Sequence, residues 1–258
     1  MRERKFKKLG IASVIAAVML AAAAPNAHGE TLYLTVDSKP MRLYAAPVPY
    51  ALTSPAENVY RFESRKNDFG WSGDAENSRR RSELASVGDK YGPGETLWTS
   101  FSFVVGPEHA PFDGGKKHNM IHQWQSVQDT RVMRRPVLWV KLADGKLYII
   151  TRSYDATVVR YSAARPADGV IHNMVISGRV GKPGHLKVWL DGMEIVDTDA
   201  PIGDYKANPL VYPQWGLYQN NVEDPTVIYH ANMEWGTNDL SARVSTPLAV
   251  NTPPGGWI

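Results

Sequence analysis

Three short segments of this 258-residue chain pool polar and aromatic side chains where a bland strand would simply alternate. The first is Arg79-Arg80-Arg81-Ser82-Glu83-Leu84. Side chains of an extended backbone point to opposite faces in turn, so Arg79, Arg81 and Glu83 share one face and Arg80, Ser82 and Leu84 the other. A planar guanidinium suits two-point capture of a carboxylate, and a neighbouring glutamate fixes its orientation. Alone, the same pattern also describes an exposed charged strand face. In the second segment, Ile121-His122-Gln123-Trp124-Gln125-Ser126, the amides of Gln123 and Gln125 share a face, with His122 and Trp124 opposite. Paired amides can hydrogen-bond a sugar acid or simply face water. The third is Tyr212-Pro213-Gln214-Trp215-Gly216-Leu217-Tyr218-Gln219-Asn220. Its even positions carry Tyr212, Gln214, Gly216, Tyr218 and Asn220, and the two tyrosines are either tethered core residues or acid–base groups. Gly216 marks a close approach by another backbone or a ligand.

Strands must position these side chains. Alternating, aromatic and β-branched stretches broken by Gly, Pro, Asn and Asp predict strands over 59–64, 79–87, 96–105, 120–126, 137–142 and 146–152. Others are expected over 171–179, 186–190, 210–219 and 226–234. Asp144-Gly145 and Asp191-Gly192 read as two-residue hairpin turns. Past the first residues, no stretch of helical length carries a clean 3.6-residue apolar period. Many strands with short turns predict an all-β, single-domain sandwich or jelly roll. The Pro- and Gly-rich tail over 246–257 reads as an irregular surface strap.

Taken in order, Arg-Ser-Glu-Leu, Gln-x-Gln and Tyr-x-x-x-Gly-x-Tyr resemble the motifs of the jelly-roll polysaccharide lyases: alginate lyases of that fold, glucuronan lyases and the heparin lyase I group. Further likeness to the last two comes from Tyr60-Arg61-Phe62-Glu63, Asp68, the stretch from Trp98 to Phe103, and His185-Leu186-Lys187-Val188-Trp189-Leu190-Asp191-Gly192. The resemblance implies a concanavalin-like two-sheet β-jelly roll. It also implies β-elimination on a glucuronan- or alginate-like polymer of uronic acids, giving unsaturated products. Carried over position by position, it implies that Arg81 and Gln123 neutralise the uronate carboxylate. Tyr212 would move the proton, Tyr218 would take the second tyrosine's place, and Arg79, Glu83, Gln125, Gln214 and His122 would contact substrate. Two positions depart from the alginate-lyase pattern: Gln125 stands where the catalytic histidine is found, and Gln214 where the usual lysine is. His122 is adjacent but points to the other face of an ideal strand, and His118 would have to bend in from a loop. With no histidine at position 125, the resemblance favours D-glucuronate or D-mannuronate, whose C5 proton and O4 lie on one side of the ring. A tyrosine, with an ordinary pKa near 10, needs a cation beside it to act as a base, and Arg81 is the expected source.

The two ends of the chain and its composition narrow the setting. Arg2, Arg4, Lys5, Lys7 and Lys8 precede an uncharged apolar run over 9–24, then Pro25 and the small-residue stretch Ala27-His28-Gly29. This is the pattern of a secretory signal peptide over residues 1–29, too short for a membrane anchor. The mature domain over 30–258 is expected in the medium or the periplasm, as a monomer. Without the leader, 24 basic residues face 25 acidic ones, so bulk charge argues for no nucleic-acid or membrane partner. The expected partner is an acidic polysaccharide. Cysteine is absent, which excludes disulfides and thiol chemistry. No cofactor is expected to be required and no metal cluster is evident, although Asp68 and Asp74 could hold a structural calcium in a loop. Trp71, Trp98, Trp124, Trp139 and Trp215 could stack on sugar rings, but rings of this size more often build a core. Two other classes compete with the lyase. A non-catalytic carbohydrate-binding module would keep the aromatics and lose the tyrosine–arginine–glutamine face. A glycoside hydrolase would need a carboxylate pair astride the bond, and Glu83 is the only strand acid on the expected face.

Overall fold

The computed structural model describes residues 32–107, 119–127, 136–207 and 210–257. The strands β1 (Tyr33–Val36), β2 (Lys39–Ala45), β3 (Leu52–Ala56) and β4 (Val59–Ser64) come first. A five-residue helix, α1 (Ser72–Glu76), precedes β5 (Arg79–Ser86) and β6 (Thr96–Val105). Then follow β7 (Asn119–Val127), β8 (Pro136–Ala143), β9 (Lys146–Arg152) and β10 (Thr157–Ala164). The chain continues through β11 (Ile171–Arg179), β12 (His185–Leu190), β13 (Met193–Asp199), β14 (Leu210–Asn220) and β15 (Thr226–Gly236), and ends past the short α2 (Ala242–Ser245).

These strands form two antiparallel sheets. One has eight strands in the order β1-β2-β5-β14-β7-β8-β9-β10, and the other seven in the order β13-β12-β11-β6-β15-β4-β3. The central strands β5, β14 and β7 come from distant parts of the chain, and they are the three segments whose residue types suggested chemistry. The all-β sandwich is therefore as expected, and ten strands lie where the alternation placed them. β1, β2, β3, β10 and β13 are additional.

The inward faces of the two sheets make the core. Trp124, Trp215, Phe62, Phe101, Phe103, Leu84 and Leu97 are among its fully buried side chains. Both expected hairpin turns form. Ala143 pairs with Lys146 around Asp144-Gly145, and Leu190 with Met193 around Asp191-Gly192. All four turn residues have positive φ, which matches the twist of the strands they join. The tail is a strap, as expected: Asn232 donates to the carbonyls of Leu248 and Ala249, and the Trp257 ring meets that of Tyr229 edge-on at 5.1 Å. Among the described residues no helix is long and apolar enough to cross a membrane.

Candidate active site on the eight-stranded sheet

Alternation along β5, β7 and β14 sends one set of side chains into the core and the other outward, and the outward set is the polar one. Trp215 and Leu217 of β14 are fully buried in the core, which leaves Tyr212, Gln214, Gly216, Tyr218 and Asn220 on the opposite face. The pairing register then assembles a row across the sheet: Arg42 opposite Ala85, Ala85 opposite Gln214, Gln214 opposite Gln123, and Gln123 opposite Trp139. Along the strands, Tyr44 lies opposite Glu83, Glu83 opposite Gly216, and Arg81 opposite Tyr218. Gly216 is required for this arrangement. Its φ is +124°, and a Cβ there would lie 2.2 Å from the Ser82 carbonyl oxygen, so β5 can approach only bare backbone.

The centre of this face is a closed hydrogen-bond network. Gln123 Nε2 donates to Glu83 Oε1 at 2.6 Å and to Gln214 Oε1 at 2.8 Å, and Gln214 Nε2 donates to the Tyr212 hydroxyl at 3.4 Å. Glu83, Gln123 and Gln214 are all buried. Burial pushes the Glu83 carboxyl up to about 7, against the pull of Arg81 and the Gln123 amide. Arg81 is held on both sides: its Nε and Nη2 donate to the two oxygens of Asp74 at 2.6 and 2.5 Å, and its Nη1 donates to Glu83 at 3.3 Å. Asp74 comes from α1, which packs against β5 and buries it almost completely.

Arg81 has a second role. Its guanidinium carbon lies 4.3 Å from the centre of the Tyr218 ring and 5.9 Å from that of Trp71. Burial raises the Tyr218 phenol, while Arg81 and then Arg79 draw it down. Tyr212 has different neighbours: it is paired with Gln125 and linked to Gln214. The cation expected beside Tyr212 thus lies beside Tyr218, because antiparallel pairing sets Arg81 against the far end of β14.

Most of the residues singled out in the sequence converge here. Arg79, Arg81, Glu83, Gln123, Gln125, Gln214, Tyr212 and Tyr218 share the outward face. His122 does not, and its expected substrate contact is corrected. It is 1% exposed in the core, with its ring 4.7 Å from that of Phe101 and 5.0 Å from that of Trp215, and burial holds it well below the usual histidine range. His118 lies outside the described residues. The three arginines in succession also part company: Arg80 points inward and donates to Val222 O, Asp224 O and Thr226 Oγ1.

The tryptophans divide as well. Trp124 and Trp215 are core, and Trp98 stacks on Trp189 on the outside of the other sheet. Trp139 joins Met120 and Ile150 on the outward face, with Tyr148 and Tyr218 against them, and Trp71 is 53% exposed beside Arg81. Asp68 accepts from the Arg65 backbone N–H and the Tyr50 hydroxyl, and Asp74 is occupied by Arg81. Among the described residues no group of three or more His, Cys, Asp and Glu could hold a metal ion. The sequence reading missed Asp74 as the partner of Arg81, and it missed Arg42 and Tyr44. The period-two pattern Met41-Arg42-Leu43-Tyr44, apolar residues inward, was the available signal for the last two.

Comparison with known proteins agrees with the fold. A family model described as polysaccharide lyase matches residues 55–234. No curated protein matches the chain in sequence. The fold resembles that of an endo-β-1,4-glucuronan lyase from the fungus Trichoderma reesei, at a TM-score of 0.53 and 14% identity over 77% of this chain and 87% of that one. It resembles alginate lyase A1-II′, a member of polysaccharide lyase family 7, at 0.58 and 16% identity over 75% of this chain and 86% of that one. An alginate lyase from Pseudomonas aeruginosa superposes at 0.50 and 15% identity, over 74% of this chain and 87% of that one.

Proposed function

The chain belongs to the polysaccharide lyase family, and from that premise we propose that it cleaves a uronic-acid-containing polysaccharide, glucuronan- or alginate-like, by β-elimination. The observation that carries the substrate class is the buried network of amides on the outward face, flanked by a tyrosine in contact with an arginine. In the reaction a base removes the C5 proton, the electron pair forms the C4–C5 double bond, and the C4–O4 bond breaks as O4 takes up a proton. The difficulty lies in the charge that builds on the carboxylate as C5–H is lost, and preorganised donors in a water-poor site stabilise it most effectively. Protein groups already orient the amides of this face, and Gln123 must release Glu83 or Gln214 before one of its N–H groups can meet the substrate.

Tyr218 is the residue we assign to proton transfer. Its ring lies against the Arg81 guanidinium, and Arg79 adds a second positive charge nearby. Both pull toward the phenolate that a base requires, but burial outweighs them and holds the phenol above its ordinary value. Gln125 stands on this face beside Tyr212, and His122 is turned into the core. A single tyrosine serving first as base and then as acid suits a substrate whose C5 proton and O4 share one side of the ring, as in D-glucuronate and D-mannuronate. The basic and apolar leader supports export to the periplasm or the medium.

The experiment is to incubate the purified protein with a panel of polyuronates and follow the ultraviolet absorbance of the unsaturated product. A rise with glucuronan or polymannuronate is the expected result. New reducing ends without that absorbance, on every polymer of the panel, would mean hydrolysis and overturn the reading.

A further inference from the structure

We propose that Lys141, on β8, receives the carboxylate of a second uronate in the bound chain, one flanking the uronate that reacts. The inference rests on the reading that the substrate is a polyuronate, and it leaves the reacting carboxylate to Arg81 and Gln123. In such a polymer every sugar carries a carboxylate, so fixing one sugar at Tyr218 commits its neighbours to definite places along the sheet. Each of their carboxylates gives up water as the chain docks, and it binds well only where a cation takes the water's place. The pairing register shows where that cation stands. One row across the eight-stranded sheet runs from Arg81 through Tyr218, Met120, Lys141 and Tyr148 to Ser162, and none of these residues is acidic.

Val140 and Leu142, on either side of Lys141, are buried in the core, so Lys141 is turned to the outward face. Neighbouring strands are about 4.8 Å apart, and the two steps from Tyr218 to Lys141 span roughly 10 Å at the backbone, a length of about two sugars. In a flat 1,4-linked chain successive rings are turned over, and the carboxylates of every second sugar face the same way. A carboxylate held near Tyr218 and another at Lys141 therefore fit one extended chain that crosses the strands. The row is open where this chain lies: Tyr218, Lys141 and Tyr148 are partly exposed, and Ser162 is exposed. Met120, between Tyr218 and Lys141, joins Trp139 and Ile150 in the apolar floor beneath. The Lys141 amine also has room for a partner. Its Nζ lies 5.6 Å from the centre of the Tyr148 ring, and no carboxylate among the described residues lies within ion-pair distance of it. Burial lowers the amine, and the field of Asp144, in the turn after β8, only partly offsets this. A half-buried ammonium without a counter-ion is costly to keep, and a substrate carboxylate supplies one.

The test uses the processed protein with Lys141→Met, which keeps the apolar stem and removes the charge, and Lys141→Arg, which keeps the charge. Two substrates are compared. One is a polyuronate that the wild type cleaves, and the other is the same polymer with part of its carboxyls reduced to alcohols, so that many reacting uronates lack a charged neighbour. On the intact polymer Lys141→Met should raise KM about 10-fold, the worth of one charge-assisted contact, with a much smaller change in kcat, because the contact is made equally before and during the reaction. Lys141→Arg should stay near the wild type. On the reduced polymer the gap in KM between wild type and Lys141→Met should narrow. An unchanged KM for Lys141→Met on the intact polymer would overturn the proposal. So would an equal rise on both polymers, which marks lost packing against Tyr148 rather than a lost carboxylate. Either result leaves the lyase reading intact. Absence of unsaturated product from the wild type on every polyuronate would instead remove that reading, and the proposal with it.

Discussion

Tyr212 and Tyr218 are six residues apart on one strand, which at about 3.3 Å per residue places their backbones roughly 20 Å apart. They cannot serve the same glycosidic bond, so an assignment between them is a real choice. The alternation of side chains put both on the correct face but said nothing about which would meet a cation. Cross-strand register decides that, and register between β5 and β14 depends on where two segments separated by more than 120 residues pair. With Arg81 against Tyr218, Tyr218→Phe should abolish most of the turnover, a loss of about 10²–10⁴-fold for a missing acid–base group. Tyr212→Phe leaves the contact between Arg81 and Tyr218 in place and should cost far less. Initial rates on the preferred polyuronate compare the two. An active Tyr218→Phe beside an inactive Tyr212→Phe would return the role to Tyr212, and full activity in both would leave His118 as the next candidate.

At the scale of elements, four of the five strands absent from the sequence reading are the sheet edges: β1 and β10 of one sheet, β13 and β3 of the other. A central strand needs an unbroken apolar face because both of its neighbours and the opposite sheet bury it, and that requirement is what makes it legible. An edge strand is covered less and guards against pairing with other chains by carrying exposed, charged or proline residues. β10 alternates only between exposed and half-buried positions, and β3 contains Pro55. The fifth, β2, has a readable core of alternation but opens on Lys39-Pro40, a pairing that suggests a break. Helix α1 was invisible for a different reason: five residues are too few to show a period. Its Asp74 nevertheless carries the main counter-charge of Arg81, and both partners are largely buried. Asp74→Ala should destabilise the fold by about 3–5 kcal/mol, the cost of leaving a buried charge without its partner. Urea denaturation measures it, and a loss below about 1 kcal/mol would show that Glu83 alone suffices to hold Arg81.

For the whole molecule, three buried titrating groups among the described residues bear on how stability changes with pH, and they act in opposite directions. His122 and His230 lie between the sheets on either side of Phe101, and burial lowers both, His230 from 6.5 to about 3. A depressed histidine contributes stability that is complete above pH 6.5 and is lost as acid protonates the unfolded chain first. Glu83, raised from 4.5 to about 7, does the reverse: its contribution is complete below pH 4.5 and is lost as pH rises through 7. Below pH 6.5 the unfolded chain takes up protons at both histidines ahead of the folded chain, while the folded chain alone holds one at Glu83 down to 4.5. The uptake at the two histidines exceeds the single proton at Glu83, so stability falls on acidification. Above 6.5 only Glu83 still changes, so the profile peaks near that value and declines toward 7. Glu83→Gln removes the opposing group, so its slope below the peak should steepen by about 1.4 kcal/mol per unit and its profile above the peak should flatten. Urea midpoints measured across this range for wild type and variant give both slopes. Parallel profiles would show that Glu83 titrates alike in the folded and unfolded chains, and a wild type that gains stability on acidification beside a level Glu83→Gln variant would show the same for the histidines.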